Sequence, residues 1–325
     1  MAGVIEAPAA EALTTPDPDW RRGWTALAAL GATSFCIPED RGGAGMQVEA
    51  AATTAGELGA ALHGSPYAGL VASAHAVSAG GTQDAEASEL ITDIIAGRRI
   101  CAFGRLARGT TTVRNVDGAS EADALLVADP ATDAFLLLTD ASTWTVSTGS
   151  DRFDASRGAG DVTIDDATRG HRIGPCPTAH HLFGLLLAAD ALGGTERALD
   201  RTVAHARDRE AFGRPIGGFQ AVQHRLSDHA VRVRGMALVV RRAARALAAD
   251  EPGAGRAVAV AEASVSSGAG HILHDLVQLT GAIGFTWEYG LHFLERRAHQ
   301  DARLAANPRR ARHTLAELEG WTDGR

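Results

Sequence analysis

The sequence has few aromatic residues and few cysteines, and it has neither a basic excess nor a long apolar run. The net charge of −8 over 325 residues argues against a dedicated nucleic-acid binder, because such proteins carry a domain-wide positive excess. Three cysteines without metal-like spacing predict no disulfide framework and no zinc site. No apolar stretch approaches the roughly 20 residues of a membrane span. The first residues lack the parts of a signal peptide, so we expect a cytoplasmic protein without a membrane span.

Composition divides the chain into three predicted parts. Residues 1–99 carry Ala and Leu at helical spacing, interrupted by a Gly-rich turn at 42–45. Residues 100–177 hold short apolar and β-branched runs typical of strands, at 124–128, 135–139, 143–147 and 162–165. Residues 178–325 hold four long helical patterns joined by short loops, at 181–208, 219–249, 256–279 and 289–304, which predict an antiparallel four-helix bundle. We therefore expect a mainly α protein with a small β domain between a helical domain and the bundle.

One stretch combines cationic residues with an abrupt helix break. Residues 207–220 read Arg-Asp-Arg-Glu-Ala-Phe-Gly-Arg-Pro-Ile-Gly-Gly-Phe-Gln. Arg207, Arg209 and Arg214 are permanent cations whose planar guanidinium groups suit phosphate. Proline and glycine end the first helix and leave backbone N–H groups for an anion. The residues alone favour either a phosphate site or a solvated corner between two helices.

Three motifs, in this order, resemble those of the acyl-CoA dehydrogenases. Residues 209–220 resemble the segment that begins the second bundle helix in that family. Residues 37–45, Ile-Pro-Glu-Asp-Arg-Gly-Gly-Ala-Gly, look like its Pro-Glu-x-x-Gly-Gly-x-Gly turn. Residues 278–289, Gln-Leu-Thr-Gly-Ala-Ile-Gly-Phe-Thr-Trp-Glu-Tyr, look like its Gln-x-x-Gly-Gly-x-Gly-Phe-x-x-Glu-Tyr segment. The resemblance covers nearly the whole chain, and it implies that family's fold.

The resemblance also implies a set of FAD-binding residues. In the family FAD lies between two subunits, so the bundle of one subunit reaches the cofactor of its neighbour. Arg209 matches the residue that binds the diphosphate, a task that suits a persistent, bidentate cation. Phe212 would pack beside the cofactor, unless it is an ordinary interface or core aromatic. Gln220 would lie near the same site, and Gln278 and Gly281 match the adenine end, although Gln278 could instead cap its helix.

Departures from the family pattern concern the catalytic base. These enzymes use a glutamate to remove the α-proton of an acyl thioester while a β-hydride passes to the flavin. In the two positions where the family carries this glutamate, the sequence has Ala305 and Phe183. The loop that faces the flavin also looks lost or shortened, since the stretch from Cys101 to Gly109 runs almost directly into the next segment. We therefore assign no catalytic residue to this chain.

Together these features resemble the short subunit, without a base, of the heterotetrameric (α2β2) acyl-CoA dehydrogenases of actinobacterial steroid side-chain degradation. Residues 284–288 and 291–297 resemble that subgroup in particular. This implies a full-length homologue as partner, which holds most of the FAD and supplies the glutamate. It also implies an acyl-CoA substrate, with bulky or steroid side-chain thioesters among the candidates, and an electron-transfer flavoprotein or similar acceptor.

Three other readings remain open. The first is a homo-oligomeric dehydrogenase with a relocated base, for which the candidates are Asp190, Glu196, Glu317 and Glu319. The second is a flavin-dependent monooxygenase of the same fold, and the third is a scaffold that only stabilises a partner. A biosynthetic role is as compatible with the sequence as a catabolic one. We predict no metal site, since neither the pair His180-His181 nor His271 with His274 has a further ligand at suitable spacing.

Overall fold

The computed structural model describes residues 20–80, 84–130, 132, 134–149, 153–305 and 308–322, so the expectation about a signal peptide lies outside it. Its first part is helical, as predicted: α1 (Arg21–Ala29), α2 (Val48–Ala60), α3 (Tyr67–Ala79) and α4 (Ala85–Ile95). Every residue of α3 from Tyr67 to Ser78 is buried, which explains why its sequence has no polar stripe. Asp84 caps α4 by accepting a hydrogen bond from the Glu86 N–H.

The second part contains two small sheets that pack on each other. Strands β1 (Cys101–Arg105), β3 (Ala124–Asp129), β4 (Ala134–Leu138) and β7 (His171–Ile173) form one sheet in that order, with only β1 and β3 parallel. Strands β2 (Thr112–Val116), β6 (Gly160–Ile164) and β5 (Trp144–Ser147) form the other, which is antiparallel. Buried side chains from both sheets, such as Val113 and Leu125, make a separate small core. The four predicted strands are confirmed, and β1, β2 and β7 were not predicted.

The third part contains the four predicted long helices and one more. Helices α5 (Pro177–Asp208), α6 (Gln220–Ala248), α7 (Ala254–Thr280) and α8 (Leu291–Ala305) correspond to the expected bundle. A two-stranded hairpin, β8 (Glu210–Ala211) with β9 (Arg214–Pro215), joins α5 to α6. Helix α9 (Pro308–Leu318) follows and was not predicted. In the described part of the chain no helix combines the length and the hydropathy needed to cross a bilayer.

Two glycines allow helix α2 to cross α5 at close range. A Cβ atom on Gly59 would lie 2.0 Å from the carbonyl oxygen of Asp190, and one on Gly193 would lie 1.9 Å from that of Gly56. Neither distance is possible for real atoms, so the two backbones pack directly against each other. This crossing fixes the first part of the chain on the first bundle helix.

A buried ionic cluster joins all three predicted parts. The guanidinium groups of Arg157 and Arg297 are each 1% exposed. Arg297 binds both carboxylate oxygens of Asp190, at 3.0 and 2.8 Å, and donates to the carbonyl oxygen of His63. Arg157 binds Asp117 and lies 2.5 Å from Oδ1 of Asp301 and 3.2 Å from Oδ2 of Asp190. Because one large apolar core also runs through these parts, the boundaries at 99 and 177 stay a prediction.

Candidate functional site

The corner between α5 and α6 is a tight hairpin that presents Phe212 at its tip. Arg209 ends α5, and its N–H donates to the carbonyl oxygen of His205. Phe212 and Gly213 have φ values of +53° and +77°, as in the primed two-residue turns that match the twist of paired strands. Glycine adopts this conformation freely, but phenylalanine does not.

The aromatic ring of Phe212 is almost fully exposed, at 96%. It contacts Phe219 edge-on, with 6.2 Å between the ring centroids. The guanidinium carbon of Arg214 lies 4.1 Å from the centroid of Phe219, so a cation covers the other aromatic ring of the corner. The expectation that Phe212 is a core aromatic is therefore wrong for this chain, and an interface or cofactor contact remains.

The side chains of Arg209 and Gln220 are exposed and available. Within the described residues the Arg209 guanidinium has no hydrogen bond and no ion pair. Gln220 begins α6 directly after the corner. A cation held at a helix end without an acidic partner can bind an anion from another molecule.

Gln278 and Gly281 lie at the carboxyl end of α7, near the same end of the bundle. Asp275 of α7 is held by Arg225 of α6, at 3.0 Å from its Nε, and by Nε2 of His229 at 2.6 Å. These contacts place the start of α6 beside the end of α7, and so bring the five predicted cofactor residues to one end of the bundle. The Gln278 side chain is exposed and makes no hydrogen bond within the described residues, so it does not cap α7. Whether these residues bind FAD remains a prediction.

The two positions where the family carries its base line one cavity of about 200 Å³. Phe183 of α5 and Ala305 of α8 both face it, and among the lining residues that the structure describes none has a carboxylate. Four arginines line the cavity instead. They lie on strands β1 and β2 and on helices α8 and α9: Arg105, Arg114, Arg303 and Arg310. Sequence reasoning missed this cluster, because its members are far apart along the chain.

The four carboxylates proposed as a relocated base lie elsewhere. Asp190 is held by Arg297 and Arg157 in the buried ionic cluster. Glu196 lines a separate cleft of about 390 Å³ between α2, α5 and α6. There, burial and the charges of Asp200 and Glu57 raise its pKa. Glu317 pairs with His313 at 3.2 Å, and Glu319 pairs with Arg256.

Glu262, on α7, is a carboxylate near the cavity that sequence reasoning did not select. Burial raises the pKa of this group to about 6, against the opposing effect of the charges of Arg105 and Arg310. It packs on Gly184, where a Cβ atom would overlap the carboxylate. Glu262 lies behind the arginines and does not itself line the cavity. Its sequence signal is a single acidic residue within an Ala- and Val-rich stretch, which does not separate a site residue from a structural one.

The pair His180-His181 lies at the start of α5. His180 lies in the first turn of α5, with its ring 5.1 Å from that of Phe135 and 5.8 Å from that of Phe103. Burial and then the charge of Arg105 lower its pKa to about 4, so the ring is neutral. A group not foreseen is His171 with Asp84 and Glu86, whose carboxylates lie 2.7 and 3.1 Å from its two ring nitrogens. Both nitrogens thus already have hydrogen-bond partners.

Comparison with known proteins gives consistent results. A family model described as acyl-CoA dehydrogenase, C-terminal domain, matches residues 183–306. Acyl-CoA dehydrogenase IpdE2 of Mycobacterium tuberculosis is 34% identical over 300 residues, which cover 90% of this chain and 84% of that protein. Among solved structures, the steroid ACAD Tcur3481-Tcur3483 matches with a TM-score of 0.86 at 25% identity, over 100% of this chain and 98% of the other. The ChsE4-ChsE5 complex from Mycobacterium tuberculosis matches with a TM-score of 0.82 at 26% identity, over 99% and 96%.

Proposed function

The chain belongs to the acyl-CoA dehydrogenase family, and on that basis we propose that it is one subunit of an FAD-dependent heteromeric dehydrogenase. In this complex it contributes contacts to FAD, and a full-length homologue supplies the catalytic glutamate. The complex introduces an α,β double bond into an acyl-CoA and passes the electrons to an electron-transfer flavoprotein or a similar acceptor. Relatives whose names refer to a steroid ACAD and to a two-protein complex support a bulky, steroid-derived acyl group and a heteromeric assembly.

The observation that carries this proposal is the arginine-lined cavity at both base positions. Arginine has a pKa above 12 and stays charged, so it cannot accept the α-proton of a thioester. The volume of about 200 Å³ is also below the roughly 300–1,000 Å³ of pockets that enclose drug-sized ligands, so it does not fit a flavin ring. The chain therefore depends on another subunit for the reacting end of the site.

The opposite end of FAD does fit the bundle corner. Arg209 offers an unpaired guanidinium for the diphosphate, Phe212 offers an exposed aromatic ring, and Gln278 offers an amide for the adenine end. When bound, FAD supplies the acceptor for the β-hydride. The roles of this chain are to hold the cofactor's phosphates and to cover it from water. We expect one FAD for each pair of unlike subunits.

The stoichiometry of FAD in purified protein tests the proposal. The chain should be purified alone, and also co-expressed with the full-length homologue encoded nearest to it. We expect a colourless lone chain and a yellow complex with one FAD per heterodimer that dehydrogenates acyl-CoA. A lone chain with stoichiometric FAD and activity would overturn the proposal. If the partner kept its FAD and its activity without this chain, the chain would be a scaffold and not a contributor to the FAD site.

Substitution of Arg209 tests its contact with FAD. In the complex, Arg209→Ala removes a charge-assisted contact of about 1.5–3 kcal/mol and should weaken FAD retention roughly 10- to 100-fold, measured by flavin release on dilution. Arg207→Ala is the matched control, because Arg207 is an exposed cation on the same helix end. Equal retention in the Arg209 and Arg207 variants would show that the corner is only structural.

Substitution of Glu262 tests the alternative in which this chain carries its own catalytic base. If the partner supplies the glutamate, Glu262→Gln in the complex leaves the turnover number within about twofold of the unsubstituted value. If Glu262 is the base, the same substitution reduces the turnover number by about 10²-fold or more, and it abolishes the acidic limb of the pH–rate profile. That second result would favour the homo-oligomeric alternative.

A further inference from the structure

The arginine-lined cavity has features of a binding site in its own right. Its four arginines come from four different elements, and they surround a volume of about 200 Å³. Arg114 is mostly exposed, at 84% of its side chain, and Arg303 is exposed as well. Four like charges around one small cavity repel each other unless a counter-charge lies between them.

Two acidic groups neighbour these arginines. Glu262 faces Arg105 and Arg310, and its carboxyl is ionised at neutral pH because its pKa is about 6. Asp161 lies 3.7 Å from Arg114. The described residues that line the cavity itself include four guanidinium groups and no carboxylate, so the lining favours an anion.

The cavity wall also contains hydrogen-bond donors without acceptors. Arg105 donates from Nη1 to the carbonyl oxygen of Ala305 at 2.9 Å, but its buried Nε–H has no acceptor within the described residues. Leaving a buried donor unsatisfied costs about 1–3 kcal/mol, more for a charged group. Asn115 accepts from Gln300 at 2.6 Å with its amide oxygen, which leaves its amide N–H groups as donors in the wall.

We propose that this cavity binds a phosphate-class dianion, and that a diphosphate group matches it best. Guanidinium groups bind phosphate oxygens in bidentate pairs, and the converging arginines supply several such pairs. The rings of Phe103 and Phe183, 4.6 Å apart, form an apolar wall and reduce the access of water to these pairs. The proposed function uses the same cavity only as a place without a base, and Arg209 and the bundle corner take no part in this inference.

Calorimetric titration of the chain with inorganic pyrophosphate tests the inference. At low salt we expect one site with a dissociation constant below about 1 mM, and affinity that falls as salt rises. Arg114→Gln with Arg303→Gln should weaken binding about tenfold or more, and because both residues are exposed this variant should fold. Arg105→Gln should weaken it further, with thermal unfolding as the check on its fold.

A matched variant shows where the anion binds. Arg172→Gln removes an exposed arginine of β7 that does not line the cavity. It should bind pyrophosphate as the unsubstituted chain does. Absence of binding at about 1 mM, insensitivity to the cavity substitutions, or an equal loss in this control would overturn the inference.

Parallel titrations with inorganic phosphate, ADP and coenzyme A identify the source of the anion. Selective binding of inorganic phosphate or pyrophosphate, lost in the Arg114/Arg303 variant, supports an inorganic ligand. Binding of ADP or coenzyme A with the same dependence on these arginines supports the diphosphate of a nucleotide. If ADP or coenzyme A binds but the cavity substitutions do not weaken it, the ligand occupies another site and the inference fails.

Discussion

Phe212 combines a strained backbone with an exposed aromatic ring. A residue other than glycine in the left-handed region costs about 1–2 kcal/mol, and such strain persists in functional segments that need a particular geometry. The ring gains little within the chain, since its only described aromatic neighbour is Phe219. The conformation therefore makes sense if the ring packs on a second molecule.

We predict opposite effects of Phe212→Gly on the lone chain and on the complex. Removing the strain should raise the free energy of unfolding of the lone chain by about 1 kcal/mol, measured by urea unfolding. In the complex the same substitution should weaken FAD retention, because the aromatic contact is lost. The control is Asp250→Gly, which relieves a φ of +47° at the opposite end of α6 and should leave FAD retention unchanged. If the complex with Phe212→Gly retained FAD as well as the unsubstituted complex does, Phe212 would be dispensable for cofactor binding.

The buried His63 makes a predictable contribution to the loss of stability of the folded chain in acid. Burial, and then the charge of Arg297, lower its pKa to about 4 from 6.5. Below pH 6.5 the unfolded chain binds a proton that the folded His63 excludes, so the contribution of His63 to the free energy of unfolding is fully present above pH 6.5 and is lost as the pH falls to about 4. We expect His63→Gln to reduce this loss by roughly 3 kcal/mol, measured by urea unfolding across that range. His313→Gln, an exposed control, should leave the loss unchanged.

The sequence predicted residues that act through local geometry better than residues brought together by folding. Arg209 could be placed at a helix end because proline and glycines follow it within a few residues. Arg105 ends β1 and Glu262 lies on α7, and the two interact although more than 150 residues separate them. The periodicity of residues along the sequence gives no information about such a long-range contact. The arginine-lined cavity therefore became apparent only in the structure.

At the scale of elements, the close crossing of α2 and α5 depends on glycine. We predict that Gly193→Ala lowers the free energy of unfolding by about 1–3 kcal/mol or more, because the added Cβ overlaps the carbonyl oxygen of Gly56. The control is Gly235→Ala on α6, where a Cβ meets nothing within 4 Å. That substitution should stabilise the lone chain by about 0.5–1 kcal/mol, since alanine favours a helix over glycine. Urea unfolding of both variants measures the two effects. If both substitutions changed the free energy of unfolding in the same direction, this account would be wrong.

The elements that sequence reasoning recovered are those with many residues of one pattern. The four long helices show helical periodicity over several turns, and β3 to β6 are apolar or β-branched runs bounded by turn residues. Strands β1, β2 and β7 were missed because each contains an arginine, which interrupts the apolar pattern. Helix α9 was missed because it is mainly polar, with Ala311 as its one buried residue in the described part.

At the scale of the whole molecule, the buried ionic cluster holds the three parts of the chain together. Arg157 lies between the second part and the bundle, with ion-pair partners in both, Asp117 and Asp301 among them. The order of the parts followed from the composition and periodicity of the sequence. This cluster did not, because single charged residues in a sequence are normally exposed.

We predict that Arg157→Gln lowers the free energy of unfolding by about 3–5 kcal/mol, because it leaves buried carboxylates without their counter-charge. Arg242→Ala is the control, since its pair with Glu251 is solvent-exposed and should contribute no more than about 1 kcal/mol. Equilibrium urea unfolding compares the two. A loss for Arg157→Gln as small as that of the control would show that the cluster relaxes without its arginine.

The same cluster makes folding a proton-binding reaction. Four aspartates, Asp117, Asp154, Asp190 and Asp301, surround its two arginines. Burial raises the pKa of Asp117, and it raises the pKa of Asp301 well above its usual range, with a further contribution from Asp190. Above the ordinary aspartate pKa of 3.8 the folded chain therefore retains a proton that the unfolded chain releases, and this part of the stability declines as the pH rises towards the raised pKa of Asp301. The heat absorbed on unfolding will then depend on the ionisation enthalpy of the buffer that takes up the proton.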